Sequence, residues 1–207
     1  GAGTEYAFTG AGYDPAGEVR AEGSDCGAIP ESHPALVELL TCGVLCNDAV
    51  LLSREGERDR WEIHGDPTEA ALVVAAMKAS GVYLSRDALA ARFPRIDAIP
   101  FESDRQYMAT LHRGSDPCGM ERTAYVKGSV ERVLAMSTTA MVSDGSVVPL
   151  DAEAVHRAAA SLARRGLRVL AFARTSAPPG SGGLTHQTVE SAVHGCGGDG
   201  SGLTFLG

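Results

Sequence analysis

An α+β fold is what this sequence predicts: a twisted, mainly antiparallel sheet flanked by helical hairpins. Three observations predict it. Helix-period apolar runs are interleaved with short strand-like runs in no regular alternation, which disfavours a parallel crossover architecture. Tight-turn chemistry at Gly114-Ser115-Asp116-Pro117 and Ser143-Asp144-Gly145-Ser146 suits strands paired with their sequence neighbours. A chain of 207 residues, 44% hydrophobic and 5% aromatic, is long enough to close one core.

Taken in order, the first 30 residues are rich in Gly, Asp and Ser. Tyr6-Ala7-Phe8-Thr9 and Glu18-Val19-Arg20 are strand-like on either side of the turn signal Gly12-Tyr13-Asp14-Pro15. From Pro34 to about Asn47, Leu36, Val37, Leu39, Leu40, Val44 and Leu45 keep a helical period, predicting a core helix after a Ser32/His33 start. Trp61-Glu62-Ile63-His64 predicts a short strand. Asp66-Pro67-Thr68-Glu69 predicts a helix start, with a capping carboxylate, proline at the first position and glutamate three after the cap. That helix is expected to run to about Ser80 with Gly81 closing it, and a shorter one over 86–92 to complete a hairpin with it.

Strands are expected at 95–99, 107–112 and 123–126, and a helix over 129–136. Asp151 should cap a helix running to Arg165 that Gly166 stops, and Leu167 to Ala173 should form a nearly continuous apolar strand. Residues 175–201, dominated by Gly, Ser, Pro and Thr, are expected to be a flexible connection with a short helical turn at 189–193. The chain ends on the strand-like Leu203-Thr204-Phe205-Leu206-Gly207, which suggests a cut inside a longer protein. The expected organisation is an opening segment with the first strands over 1–30, a core over 31–174, a connection over 175–201 and a terminal strand over 202–207.

Composition narrows the function classes. No run approaches the roughly 20 apolar residues of a bilayer-spanning helix, and no basic-then-apolar leader opens the chain, so the piece is expected to be soluble by itself. Asp and Glu outnumber Lys and Arg by 26 to 18, a formal charge of -8, which argues against broad capture of nucleic acid or an anionic membrane. Cys26, Cys42, Cys46, Cys118 and Cys196 are odd in number and form no C-x-x-C pair, so no disulfide framework is expected and a reducing compartment fits. Cys42 and Cys46 share a helical face and, with six histidines in the chain, define a third function class, a thiol or metal protein; the plain alternative is two buried small hydrophobes.

Four segments place polar or glycine residues where periodicity does not ask for them. They are His64-Gly65-Asp66-Pro67-Thr68-Glu69, Phe101-Glu102-Ser103-Asp104-Arg105, Val126-Lys127-Gly128-Ser129-Val130-Glu131 and Gly166-Leu167-Arg168-Val169-Leu170. A planar ring (Phe101), a lysine directly before glycine (Lys127-Gly128) and an arginine in an apolar run (Arg168) suit a nucleotide: the ring stacks on a base, glycine admits close approach and the cations face phosphates. The plain readings are a core phenylalanine, a solvated lysine and a glutamate that only caps. Arg168 resists the plain reading, because Leu167, Val169 and Leu170 predict a buried strand in which a guanidinium needs a carboxylate or an anion.

In this order the segments resemble the signature blocks of the nucleotide-binding (N) domain of P-type ATPases, G-[DE]-x-T-E, F-x-S-x-[RK], K-G-[AS]-x-E and G-[LM]-R-V-[LI], in the calcium-pump-like branch. The opening Gly10-Ala11-Gly12-Tyr13-Asp14-Pro15-Ala16-Gly17 and the terminal Leu203-Thr204-Phe205-Leu206-Gly207 are similar to the segments by which that domain leaves and rejoins the phosphorylation domain. The resemblance implies an N-domain-like fold that binds ATP by its adenine and presents the γ-phosphate to the phosphorylation domain of a cation-transporting pump. By similarity, Phe101 stacks on adenine, Glu69 accepts from its exocyclic amine, Lys127 lines the deep end with Gly128 at the floor, and Arg168 faces the phosphates. Thr68, Met108, Ser129 and Leu170 form the rim and apolar wall.

The same resemblance implies ATP as ligand, with Mg2+ in the full-length pump, and the phosphorylation and actuator domains of the same chain as partners. It implies a monomeric fragment on the cytoplasmic side of a membrane, with no direct membrane or nucleic-acid contact. Ser103 and Gln106 stand where animal calcium pumps carry basic residues, so weak, base-dominated binding is expected. Neither a D-K-T-G-T nor a G-D-G-x-N-D segment occurs, and Gly197-Gly198-Asp199-Gly200 lacks the Asn-Asp, so no catalytic or metal residue is assigned and no hydrolysis by this piece alone is expected. There is also no G-x-x-x-x-G-K-[ST] loop. The alternative is an interaction or regulatory module of the same fold without nucleotide, for which the ring of Phe101 should be packed in the core rather than open beside Lys127.

Overall fold

The structure is a computed structural model that describes residues 3–21, 33–53, 61–80, 84–114, 122–177, 185 and 202–207. Its centre is a seven-stranded sheet built from β5 (Arg95–Glu102), β6 (Tyr107–Arg113), β7 (Arg122–Gly128), β8 (Ser137–Met141), β9 (Val147–Pro149), β10 (Ala171–Ala177) and β11 (Leu203–Phe205). The order is β5-β6-β7-β10-β11-β8-β9, and every pairing is antiparallel except that of β11 with β8. Two hairpins stand outside it, β1 (Tyr6–Phe8) with β2 (Val19–Ala21), and β3 (Val50–Ser53) with β4 (Trp61–His64). This is the expected α+β class with a mainly antiparallel sheet.

Both faces of the central strands are buried, and alternation sorts their side chains. Met108, Tyr125 and Phe172 pack with α1 (Pro34–Leu45) in one cluster, while Tyr107, Ala109, Val126, Ala171 and Ala173 join Leu203, Phe205 and α4 (Val130–Ala135) in the other. On the first face, α2 (Pro67–Ser80) and α3 (Arg86–Arg92) pack against α1, so α1 is buried almost all round from Leu40 to Leu45. Each of Leu36, Leu40 and Leu45 is worth roughly 1.5–3 kcal/mol in that position. On the second face, α5 (Ala152–Arg164) covers α4.

The predicted starts and stops are local hydrogen bonds. Asp66 Oδ1 accepts from the N–H of Thr68 (2.8 Å) and of Glu69 (3.2 Å), and Asp151 Oδ1 from that of Ala154 (2.9 Å). Ser129 Oγ caps α4 by accepting from Arg132 N–H at 3.2 Å, and Gly166 ends the α5 region at φ +77°.

Three expectations are corrected. The pair β3 to β4 includes a strand the sequence reading left out, because Val50-Leu51-Leu52 is a short run without alternation. The strand expected over 167–173 begins only at Ala171 and continues to Ala177, beyond the position where a connection was expected to start. Its ladder begins where Ala171 meets Gly128, the last residue of β7, so residues 167–170 have no neighbour on β7 to pair with. The buried setting expected around Arg168 is therefore absent: Leu167 is 49% exposed and Arg168 itself is exposed. Gly81, Ser115 to Pro117, the turn at 189–193 and Gly197 to Gly200 lie outside the described residues.

Candidate functional site

The site begins where β4 turns into α2. Gly65 makes the turn at φ +113°, and a Cβ there would come within 2.9 Å of the Ala49 backbone, so the first turn of α2 is pressed against the loop leaving α1. Desolvation pushes the Asp66 carboxyl up slightly, but the bonds it accepts from Glu69 and Thr68, with the Arg168 charge nearby, outweigh this and hold it below its ordinary value. The same interaction puts Arg168 on the Asp66 side of the site.

The Glu69 carboxylate turns away from the helix cap, which Asp66 supplies. Its Oε1 accepts from Lys127 Nζ at 2.6 Å and its Oε2 from the backbone N–H of Asp48 at 3.1 Å. The plain reading of a glutamate that only caps therefore does not describe it: the carboxylate bridges α2, the loop after α1 and the sheet. Each oxygen keeps a lone pair for a further donor. Lys127 is 6% exposed, and its charge acts on both Cys42 and Cys46 beneath it on α1.

Sheet register extends the site outward from this pair. Lys127 stands opposite Phe172 on β10 and opposite Met108 on β6. On β5, Ile99 pairs with Ala109 and Glu102 with Tyr107, so a β-bulge leaves Pro100 and Phe101 together opposite Met108. One cross-strand row therefore runs Phe101, Met108, Lys127, Phe172, with about 5 Å between neighbouring strands. Phe101, expected on the plain reading to be core, is 59% exposed. Thr68 and Leu170 are half-buried, and Leu170 packs against the α1-face cluster.

Two of the predicted residues have other duties. A Cβ on Gly128 would lie 2.4 Å from the Gln106 carbonyl and 2.9 Å from Tyr107 Cβ, so glycine is required there by the neighbouring strand, whatever may bind. Ser129 caps α4 and donates to Gln106 Oε1 at 3.2 Å, while its N–H bonds the Gln106 carbonyl at 3.0 Å. Gln106, held at φ +59°, thus closes the turn between β5 and β6.

The sequence reading missed the support behind Glu69. Asn47, Asp48 and Arg95 meet there, with Arg95 paired to Asp48 at 2.6 Å and Arg86 donating to the Ala49 carbonyl. The signal in the sequence is a polar Asn-Asp between Cys46 and the apolar Ala49-Val50. The thiols of Cys42 and Cys46 face sheet carbonyls, with Sγ 3.8 Å from those of Val126 and Ala173 and 3.6 Å from that of Met108. Burial pushes both thiols up, that of Cys46 to about 11, and among the described residues no group of three or more His, Cys, Asp or Glu could hold a metal ion.

Residues 35–207 match the family model for P-type ATPase, cytoplasmic domain N, and the chain belongs to that family. The relatives it resembles are named as cation-transporting or calcium-transporting ATPases. It is 41% identical over 208 residues to the cation-transporting ATPase pma1 of Synechocystis sp., covering 99% of this chain and 21% of that protein. It is 44% identical over 168 residues to the probable cation-transporting ATPase F of Mycobacterium tuberculosis (81% and 17%), and 30% identical over 173 residues to a calcium-transporting ATPase of Bacillus subtilis (81% and 18%). The chain spans about a fifth of the length of these relatives. Among the described residues no helix is long and apolar enough to cross a membrane.

Proposed function

We propose that this chain binds ATP through its adenine and presents the γ-phosphate to the phosphorylation domain of a cation-transporting P-type ATPase. The observation that carries the reading is the row itself: a phenylalanine ring 59% exposed at one end, and two strands away along it a lysine 6% exposed and paired with a carboxylate. An exposed aromatic gains most from being covered, and a base has the flat face to cover it. Beyond the ring, Lys127 offers a donor to a ring nitrogen and Glu69 an acceptor to the exocyclic amine. Arg168, exposed and on the Asp66 side, is free to meet phosphate oxygens in solvent, and Mg2+ would accompany the triphosphate. An open ring supports this reading over a nucleotide-free module, for which the ring should be packed.

With so few cations at the phosphates, affinity near 1 mM, about -4 kcal/mol, is expected, and stacking supplies ~1–3 kcal/mol of it. Titration of the 15N-labelled chain with ATP should shift amides around Phe101, Lys127 and Arg168, and Phe101→Ala should weaken binding about ten-fold or more. If millimolar ATP moves none of these amides, or if Phe101→Ala binds as tightly as the parent, the reading is wrong.

A further inference from the structure

We propose that Asn47 is a positioning residue for base selection: by tying the first turn of α2 to the end of α1, it aims the Glu69 carboxylate at Lys127 and at the exocyclic amine of a bound purine. The proposal rests on the ATP reading above.

Asn47 is 1% exposed and uses both ends of its carboxamide. Its Nδ2 donates to the Gly43 carbonyl and to the Glu69 carbonyl, each at 2.9 Å, and its Oδ1 accepts from the Ala49 N–H at 2.8 Å. Gly43 lies in the last turn of α1, where carbonyls run out of helical partners, so one amide proton answers an orphan acceptor and the other reaches across to α2. Neither aspartate nor a hydroxyl residue has two protons to give. The next residue completes the hold: Asp48 N–H donates to Glu69 Oε2, leaving Oε1 to Lys127. Glu69 is thus held at its main chain by Asn47 and at one carboxylate oxygen by the residue Asn47 orients.

The surroundings make this loop a rigid support. Ala49 is fully buried, its carbonyl accepts from Arg86, its backbone blocks any side chain at Gly65, and Asp48 is paired to Arg95. With the loop anchored on these sides, loss of the Asn47 amide protons frees chiefly the α2 side, where Glu69 sits. The expected consequence is a carboxylate that still exists but no longer stands where an amine would meet it. Stacking on Phe101 is indifferent to which purine is bound, so the base preference should suffer more than the affinity.

The test compares ATP with inosine triphosphate, whose base carries a carbonyl in place of the amine. The parent should prefer ATP, since a carboxylate accepts from an amine and repels a carbonyl. In Asn47→Ala and Asn47→Ser the preference should fall roughly five-fold, while in a Glu69→Gln background the Asn47 change should remove nothing further. A merely structural role would weaken both nucleotides alike and leave their ratio intact. Amide spectra establish that each variant is folded, and Asn47→Ser, which keeps a hydroxyl for the Ala49 N–H, decides the matter if Asn47→Ala does not fold. A preference undiminished in a folded Asn47 variant, or an undiminished effect on top of Glu69→Gln, overturns the proposal. If the parent shows no preference between the two nucleotides, the adenine reading itself fails and takes this proposal with it.

Discussion

The two partners of the buried ion pair should respond unequally to removal. In Glu69→Ala the ammonium of Lys127, whose side chain is 7% exposed, is left among Met108, Phe172 and the α1 thiols without its counter-ion. Stranding a charge in such a place costs about 3–5 kcal/mol. The reverse change is milder, because the Glu69 side chain is 18% exposed and keeps the Asp48 N–H as a donor. Lys127→Met also places an apolar side chain of similar volume in an apolar row, for which about 1 kcal/mol is a fair upper figure. The gap should therefore be about 2 kcal/mol or more, with Glu69→Ala the less stable. Urea unfolding followed by circular dichroism, with the slope checked for constancy, measures both. Equal losses, or a larger loss for Lys127→Met, would refute the claim that burial of the ammonium dominates this pair. Combining Glu69→Ala with Lys127→Met should recover part of the stability lost by Glu69→Ala alone, since the stranded charge is gone.

Further outcomes are expected from other parts of the fold. Gly128→Ala should destabilise by about 3 kcal/mol, because the new Cβ meets the Gln106 carbonyl and the Tyr107 backbone rather than a yielding side chain, and the urea midpoint should drop accordingly. Burial pushes the His112 imidazole below its ordinary value of 6.5, with Arg95 adding to the effect and hydrogen bonding to the backbone at Phe93 and Leu45 opposing it. Protonation then favours the unfolded chain, so this contribution to stability is intact above about pH 6.5 and is lost as the pH falls from there toward the lower native value. Denaturant midpoints between pH 8 and pH 5.5 should fall on the acid side, less steeply in His112→Gln, and an identical slope in that variant would discount His112 as the source.

Much of this molecule was legible residue by residue. The caps at Asp66 and Asp151 and the stop at Gly166 involve groups within three or four positions of one another, so their residue types announce them. The four blocks and their order also pointed to the N domain of P-type ATPases, the family to which the chain belongs. Arg168 shows the limit of local inference: an apolar neighbourhood in sequence suggested a buried strand, yet residues 167–170 stand where β7 has already ended.

By itself, then, the sequence determined the class of fold, most helix boundaries and the set of residues worth examining. Only the tertiary structure decided that Glu69 belongs to Lys127, 58 positions away, that a bulge against Met108 turns Phe101 outward, that β11 inserts between β10 and β8, and that Asn47 stands behind Glu69. Capping and turn chemistry are satisfied within one turn of chain, whereas a buried charge finds its partner and a strand its neighbours only when distant segments are brought together and water is excluded, a condition that no short window of residues contains.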